Sequence, residues 1–293
     1  MLIDIHAHIY RKPFLQLPGR APWPTPDDLL AAYDRLGVDK GVLQVLLGPE
    51  FYSPQPVEDI LEAAAAHPDR FIPFCNVHPR ALNNDPAAPL EKVLELYKEA
   101  GCKGIGEVTA NMSFFDPYML NLFRAAEEVE LPVTIHLGHR EGGCYGIVDQ
   151  AGLPGLDEVL LRFPGLRILG HSMPFWAEIA ELDTVYDRTG YPAGPVKREG
   201  ALPKIMRKRP NLYCDLSAGS GANALLRDEV YAGKFLTEFA DRVLFGLDIC
   251  SAEERPFCRN LIDLLHRLRD GGVITGEVFA KVTHRNAIRL LNL

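Results

Sequence analysis

Eight short apolar runs, each bounded by turn residues and most of them followed by a stretch of helical periodicity, constrain this chain more than any other feature. Alternation of that kind builds a parallel sheet whose crossovers are helices. The runs predict strands at 2–6, 40–46, 71–77, 103–108, 132–137, 167–171, 211–216 and 243–248. They are nearly continuous in apolar residues, as strands covered on both faces must be. Helical patterns fill the intervals at 26–36, 56–66, 89–100, 117–130, 154–163, 174–183, 201–208, 222–240 and 253–270, with a terminal helical stretch from 276. Two helices announce their starts: Thr25 stands ahead of Pro26 with Asp28 behind it, and Asp116 stands ahead of Pro117. Each is a capping side chain followed by a first-turn proline.

Eight such strands within 293 residues predict one domain, 1–293, folded as a closed (β/α)8 or TIM barrel, for which about 250 residues is typical. An open doubly wound sheet uses the same alternation. No strand, however, is followed by GxGxxG or GxxxxGK[ST], so the phosphate-loop evidence for an open sheet is missing. The longest excursions after strands, 9–25 and 172–210, should emerge on the face where barrel active sites form, and they are the lid candidates. The second contains Tyr186, Arg188, Tyr191, Lys197 and Arg198, either a set that recognises an anion or a solvated loop.

Charge and cysteine usage narrow the partners. The chain carries 31 basic and 39 acidic residues, a formal net charge of −8, with no block of Lys or Arg to track phosphates, so nucleic acid is not expected. Its six cysteines form no CxxC pair and read as reduced thiols. The start, MLIDIHAHIY, lacks a basic segment followed by a long apolar stretch, and no run reaches the length of a membrane span. The expectation is a cytoplasmic protein acting on a small-molecule substrate, with homo-oligomerisation left open.

The polar residues that interrupt the strand ends carry the chemistry. His6 and His8 are two apart at the end of the first strand, so both side chains leave the same side of the pleat. Glu107 ends the fourth strand, His136 the fifth, His171 the sixth and Asp248 the eighth. A lone strand-end histidine is ordinarily a hydrogen-bonded core residue. Four imidazoles and two carboxylates together are different, because burying unpaired charge costs several kcal/mol per group. A divalent cation supplies the missing partner. Imidazole with carboxylate suits zinc first, with manganese, iron or cobalt as alternatives, whereas magnesium and calcium call for mostly oxygen. Such a cation lowers the pKa of a bound water from 15.7 toward about 7.

The IDIHAHI start, the histidines ending strands five and six and the aspartate ending strand eight resemble the amidohydrolase superfamily over essentially the whole chain. GHSMPFWAEI after strand six and HRNAIRLLNL at the C-terminus are similar to its amidohydrolase-related group, which holds small-acid hydrolases and ACMSD-like decarboxylases. The resemblance implies His6, His8, His136 and Asp248 as metal ligands, with His171 either a ligand to a second metal or a catalytic side chain. Many two-metal members place a carbamylated Lys on strand four, but Lys103 lies at the start of that strand, away from the catalytic edge. Glu107, in GIGEV, resembles instead the bridging Glu of TatD-type deoxyribonucleases and some lactonases. It can bridge two cations, ligate one, or hydrogen-bond to His136 or His171, and the balance leans slightly toward two metals.

The resemblance implies two reactions. In hydrolysis of an ester, lactone or amide, Asp248 accepts the water proton and passes it to the leaving group, and His171, where it is not a ligand, stabilises developing charge. In nonoxidative decarboxylation of an unsaturated or aromatic acid, an Asp delivers a proton to carbon. Glu107 tilts the reading toward the hydrolase, while the similarity of the strand-six region to the decarboxylase-containing group tilts it back. A noncatalytic barrel with a structural metal is a third reading, disfavoured because a cluster at the loop-bearing end is open to ligand.

Among nearby residues, His139 and Arg140 are placed to touch a substrate carboxylate, and Trp176 either lines the pocket or packs the helix after strand six. Tyr10, Arg11, His78, Cys144, Asp215 and Cys250 are further candidates for tuning specificity, while His67, His266 and His284 fall in helical segments away from any strand end.

Overall fold

A computed structural model describes residues 1–12, 21–253 and 255–293. Eight barrel strands run in order: β1 (Ile3–Ala7), β2 (Lys40–Leu43), β3 (Phe71–Pro73), β4 (Ile105–Val108), β5 (Val133–Gly138), β6 (Ile168–His171), β7 (Leu212–Asp215) and β8 (Val243–Leu244). Adjacent strands pair in parallel from β1 to β3 and from β4 to β8. Single parallel bridges, Cys75 to Ile105 and Ala7 to Ile249, join the two sheets at both seams. The sheet therefore closes into the TIM barrel that the alternation predicts. A two-residue strand, Ile147–Val148, pairs outside the ring with the end of β5.

Two apolar cores result. The larger lies between the strands and the surrounding helices. The smaller fills the lumen: Ile3, Ile5, Val42, Ile72, Phe74, Leu169 and Leu244 pack with Ala287, Leu290 and Leu291 of the C-terminal helix, which stops the amino end of the barrel. Burying a side chain of this size contributes roughly 1.5–3 kcal/mol.

The predicted helix starts form as capping chemistry requires. In α1 (Pro26–Leu36), Thr25 and Asp28 make a reciprocal capping box, and Asp116 accepts from the Tyr118 amide at the start of the Pro117–Glu128 helix. Other boundaries differ. The helix expected over 174–183 covers only Met173–Ala177, because Ala180 leaves to bridge Glu199. The helix expected over 222–240 is two, Ala218–Leu226 and Glu229–Glu238, since Asp228 turns extended and caps the second through the Tyr231 amide. The C-terminal stretch carries one π turn at Lys281–Arg285.

The excursion over 9–25 lies in part, at 13–20, outside the described residues. That over 172–210 is ordered as a short helix, a 3-10 turn at Val185–Thr189 and a further helix at Ala201–Lys208. Arg188 is buried there, 3.4 Å from Glu178 and donating to the Asp149 carbonyl at 2.8 Å, so it fastens the loop. Tyr186 is exposed, and Arg198 pairs with Glu181. All six cysteines are unbridged. Among the described residues no helix is long and apolar enough to cross a membrane.

Candidate metal centre

Two irregularities aim the site. Ile3 and Ile5 both belong to the lumen core, so strict alternation would turn His6 outward. The register between β1 and β2 slips between Asp4 and Ala7, three steps against two, and this bulge brings His6 in beside His8. Asp4, fully buried, stabilises it by accepting from the His6 amide at 3.0 Å, the Leu247 amide at 2.8 Å and the Tyr33 hydroxyl at 2.8 Å. An equivalent slip between Ile105 and Val108 brings in Glu107. Gly106 has φ +154° there, and a methyl group on it would lie 2.5 Å from Gln44 Oε1 and 2.9 Å from Thr134 Cβ, so glycine is required. On β5, β6 and β7 the ordinary period of two delivers His136, His171 and Asp215 without such devices.

The resulting cluster is almost dry: His6, His8, Glu107, His171 and Asp215 are each no more than 4% exposed. His6 Nδ1 stands 2.6 Å from Asp215 Oδ2, and His8 Nδ1 donates to the Gln44 carbonyl at 3.1 Å. With both Nδ1 atoms committed to acceptors, the two Nε2 atoms face one another at 3.0 Å. Two lone pairs at that distance repel, so a proton or a cation must lie between them. Asp248 Oδ1 is 3.8 and 3.6 Å from the same two nitrogens. Ligands about 2.1 Å from a tetrahedral ion stand about 3.4 Å apart, so this trio fits one cation and leaves a position open. Glu107 Oε2 faces the same nitrogens at 3.7 and 3.5 Å.

His136 Nδ1 lies 2.6 Å from Glu107 Oε1, a hydrogen-bond separation. Two further groups have donor atoms within 4.8 Å of one another: Glu107, His136 and His171, and His6, His171 and Asp215. The second is a hydrogen-bonded support for His6 rather than an open cage.

Ionisation follows burial and neighbours. Burial works against a charged His6, but the Asp215 and Asp248 carboxylates raise its pKa well above the ordinary value. Burial raises Asp248 to about 6, and burial with the neighbouring His6 lowers His171 to about 3. Burial likewise opposes an ionised Glu107, yet His136 holds its pKa well below the usual carboxylate range.

A cleft of about 550 Å³ leads to the cluster, lined by Glu50, His136, His139, Cys144, Tyr145 and Met173 among others. His139 thus lies on its wall, whereas Arg140 is an exposed rim residue. Trp176 is not a pocket residue: it is 2% exposed, its ring N–H donates to the Asp215 carbonyl at 2.9 Å, and it packs on Phe175 and Phe235. Its place as a substrate contact is corrected to a support for the β7 end. Sequence reasoning gave Asp215 only a tuning role and passed over Ser217, which touches both His6 and His171. The D-x-S spacing directly after an apolar strand was the available signal.

Residues 3–293 match the amidohydrolase family, and the chain belongs to it. A comparison with curated proteins finds no match. Among solved structures, an uncharacterised TIM-barrel protein from Bordetella bronchiseptica is 19% identical at a TM-score of 0.65, covering 99% of this chain and 98% of that one. A probable 2-pyrone-4,6-dicarboxylic acid hydrolase from Acinetobacter baumannii, with citric acid bound, is 14% identical at 0.59, covering 100% and 99%. A 5-carboxyvanillate decarboxylase from Novosphingobium aromaticivorans, complexed with manganese and a nitrobenzoic acid, is 19% identical at 0.58, covering 90% and 79%. At these identities the likeness establishes the shared barrel.

Proposed function

We propose that the protein is a metal-dependent hydrolase that cleaves an ester, lactone or amide bond of a small, carboxylated substrate. The observation that carries this reading is the way Asp248 divides its oxygens: Oδ1 faces His6 and His8 at 3.8 and 3.6 Å, while Oδ2 faces His171 at 3.8 Å. One carboxylate thereby serves both the cation position and a proton transfer beside it. His6, His8 and Asp248 would hold the ion, with Glu107 alongside in the manner of a TatD-like glutamate. The donor set favours zinc, and manganese or iron fits the same nitrogens and oxygens. When bound, the ion polarises a carbonyl and lowers the pKa of water toward about 7.

The side chains do the rest. Asp248 takes the proton of the attacking water and returns it to the leaving group. His171, across from it, supports the charge developing on the carbonyl oxygen. Asp215 and the Gln44 carbonyl fix the two histidine rings, and His136 steers Glu107. His139, on the cleft wall, is placed for a substrate carboxylate, with Arg140 at the rim. The reaction is assigned to the cytoplasm.

A second reading, nonoxidative decarboxylation of an aromatic or unsaturated acid, is favoured by the aromatic rings beside the cluster. Trp23 stands edge-on to His8 at 6.1 Å between centroids, and Tyr145 lies 4.5 Å from His136, so an aromatic ring stands beside each of two histidines of the cluster. Zinc-loaded protein offered a panel of lactones and carboxylated phenols should release acid from the lactones without carbon dioxide. Carbon dioxide release from the phenols, with no lactone turnover, would replace the hydrolase by the decarboxylase.

A further inference from the structure

Ser217 is fully buried, so its hydroxyl proton has to be donated inside the protein. Among the described residues its oxygen has two partners, His171 Nδ1 at 2.8 Å and His6 Nδ1 at 3.2 Å. The second cannot accept, because the short contact of His6 Nδ1 with Asp215 Oδ2, 2.6 Å, already uses that nitrogen to hold a proton toward the carboxylate. The hydroxyl therefore donates to His171, and a nitrogen that accepts carries no proton of its own. In neutral His171 the ring proton is then on Nε2, the atom that faces Glu107 Oε1 and Asp248 Oδ2, each at 3.8 Å.

We infer that Ser217 selects the tautomer of His171 and thereby presents an Nε2–H as a hydrogen-bond donor to the reacting carbonyl. Ser217 is a positioning residue; His171 is the group that meets substrate. The packing holds the arrangement in place. A methyl group at Gly246 would lie 2.5 Å from Asp215 Oδ1 and 2.9 Å from Ser217 Cβ, and the Ser217 amide is tied to Asp215 Oδ1 at 3.0 Å.

The role toward a carbonyl rests on the proposed function, but the tautomer does not, and the test separates them. Metal-free protein labelled with ¹⁵N-histidine, read by long-range proton–nitrogen correlation, should show His171 protonated on Nε2. In Ser217→Ala the bond that holds the proton on Nε2 is gone, and Asp215 Oδ2, 3.7 Å from Nδ1, competes with the two carboxylate oxygens 3.8 Å from Nε2, so a share of the proton should move to Nδ1. Ser217→Thr, which keeps the hydroxyl, should restore the wild-type signal. A purely structural role for Ser217 would change stability without moving the tautomer. An Nδ1–H signal in the wild type, or an unchanged tautomer in Ser217→Ala, would each overturn the assignment. Should Ser217→Ala fail to fold, the wild-type spectrum and Ser217→Thr decide it. A wild-type Nε2–H signal without zinc uptake upholds the tautomer and removes the hydrolase reading instead.

Discussion

The two ends of the barrel are built on the same strands and differ completely in what they hold. At the amino end Ile3, Ile5, Val42, Ile72, Leu169 and Leu244 pack against Leu290 and Leu291 of the C-terminal helix. Two residues further along, β6 replaces Leu169 by His171, and β7 replaces Tyr213 by Asp215. The lower end needs only apolar fit, which many sequences satisfy. The upper end needs each charged or hydrogen-bonding atom to meet a partner, and it is stabilised by Asp215, Ser217, Gln44 and Asp4 standing behind the residues that face the cleft.

If that division is real, mutations at the two ends should separate activity from stability. The largest effect belongs to Asp248→Asn, which keeps the shape and one metal-facing oxygen but removes the base. Turnover should fall about 10³-fold, within the range of a lost general base, while zinc uptake measured by elemental analysis is largely kept. Unchanged turnover would place the proton transfer elsewhere. At the other end Leu290→Ala should cost about 2–5 kcal/mol of unfolding free energy. Turnover per folded molecule should not change. A loss of activity there, without unfolding, would show the ends to be coupled.

The metal-free upper end gives an intermediate effect. Its His6 carries a raised pKa because Asp215 and Asp248, against the cost of burial, favour the charged ring. A cation entering between the two Nε2 atoms must expel that proton. Binding at neutral pH should therefore release about one proton per chain, seen as a buffer-dependent heat, and zinc affinity should fall as pH is lowered. Binding with no proton release would mean that the His6–His8 contact is not the ion's seat.

The same two ends were not equally legible in the sequence. The strands, the closure and the lower core follow from apolar runs and their spacing. His136, His171 and Asp248 could be picked out because they stand where an apolar strand stops. What could not be seen is that Ile5 and His6 both face the lumen, and Gly106 and Glu107 likewise, because a bulge is set by long-range register and leaves no pattern of its own. Trp176 was misplaced for a related reason: a large aromatic beside a catalytic strand packs under the site as readily as into it. Ser217 was overlooked because a serine after a strand is commonplace until a buried imidazole is found to need its proton.

Asp4 marks the boundary between the two ends, and Tyr33→Phe tests it with the smallest expected effect. Removing the hydroxyl leaves Asp4 Oδ2 without its 2.8 Å donor, while Oδ1 still holds the His6 and Leu247 amides. The loss should be about 1 kcal/mol, with zinc affinity nearly kept because the bulge stays pinned. Burial raises the Asp4 carboxyl from 3.8 to about 7, and the Tyr33 bond is one of the contacts that limit the rise. A folded pKa above the unfolded one means that the folded state binds more protons, so this group's contribution is full below about pH 4 and declines as pH rises toward 7. Without Tyr33 the decline should extend to higher pH. Denaturant titrations of both proteins between pH 4 and 8 should therefore diverge on the alkaline side, and curves that stay parallel would show that Asp4 is ionised throughout, held by the two amides alone.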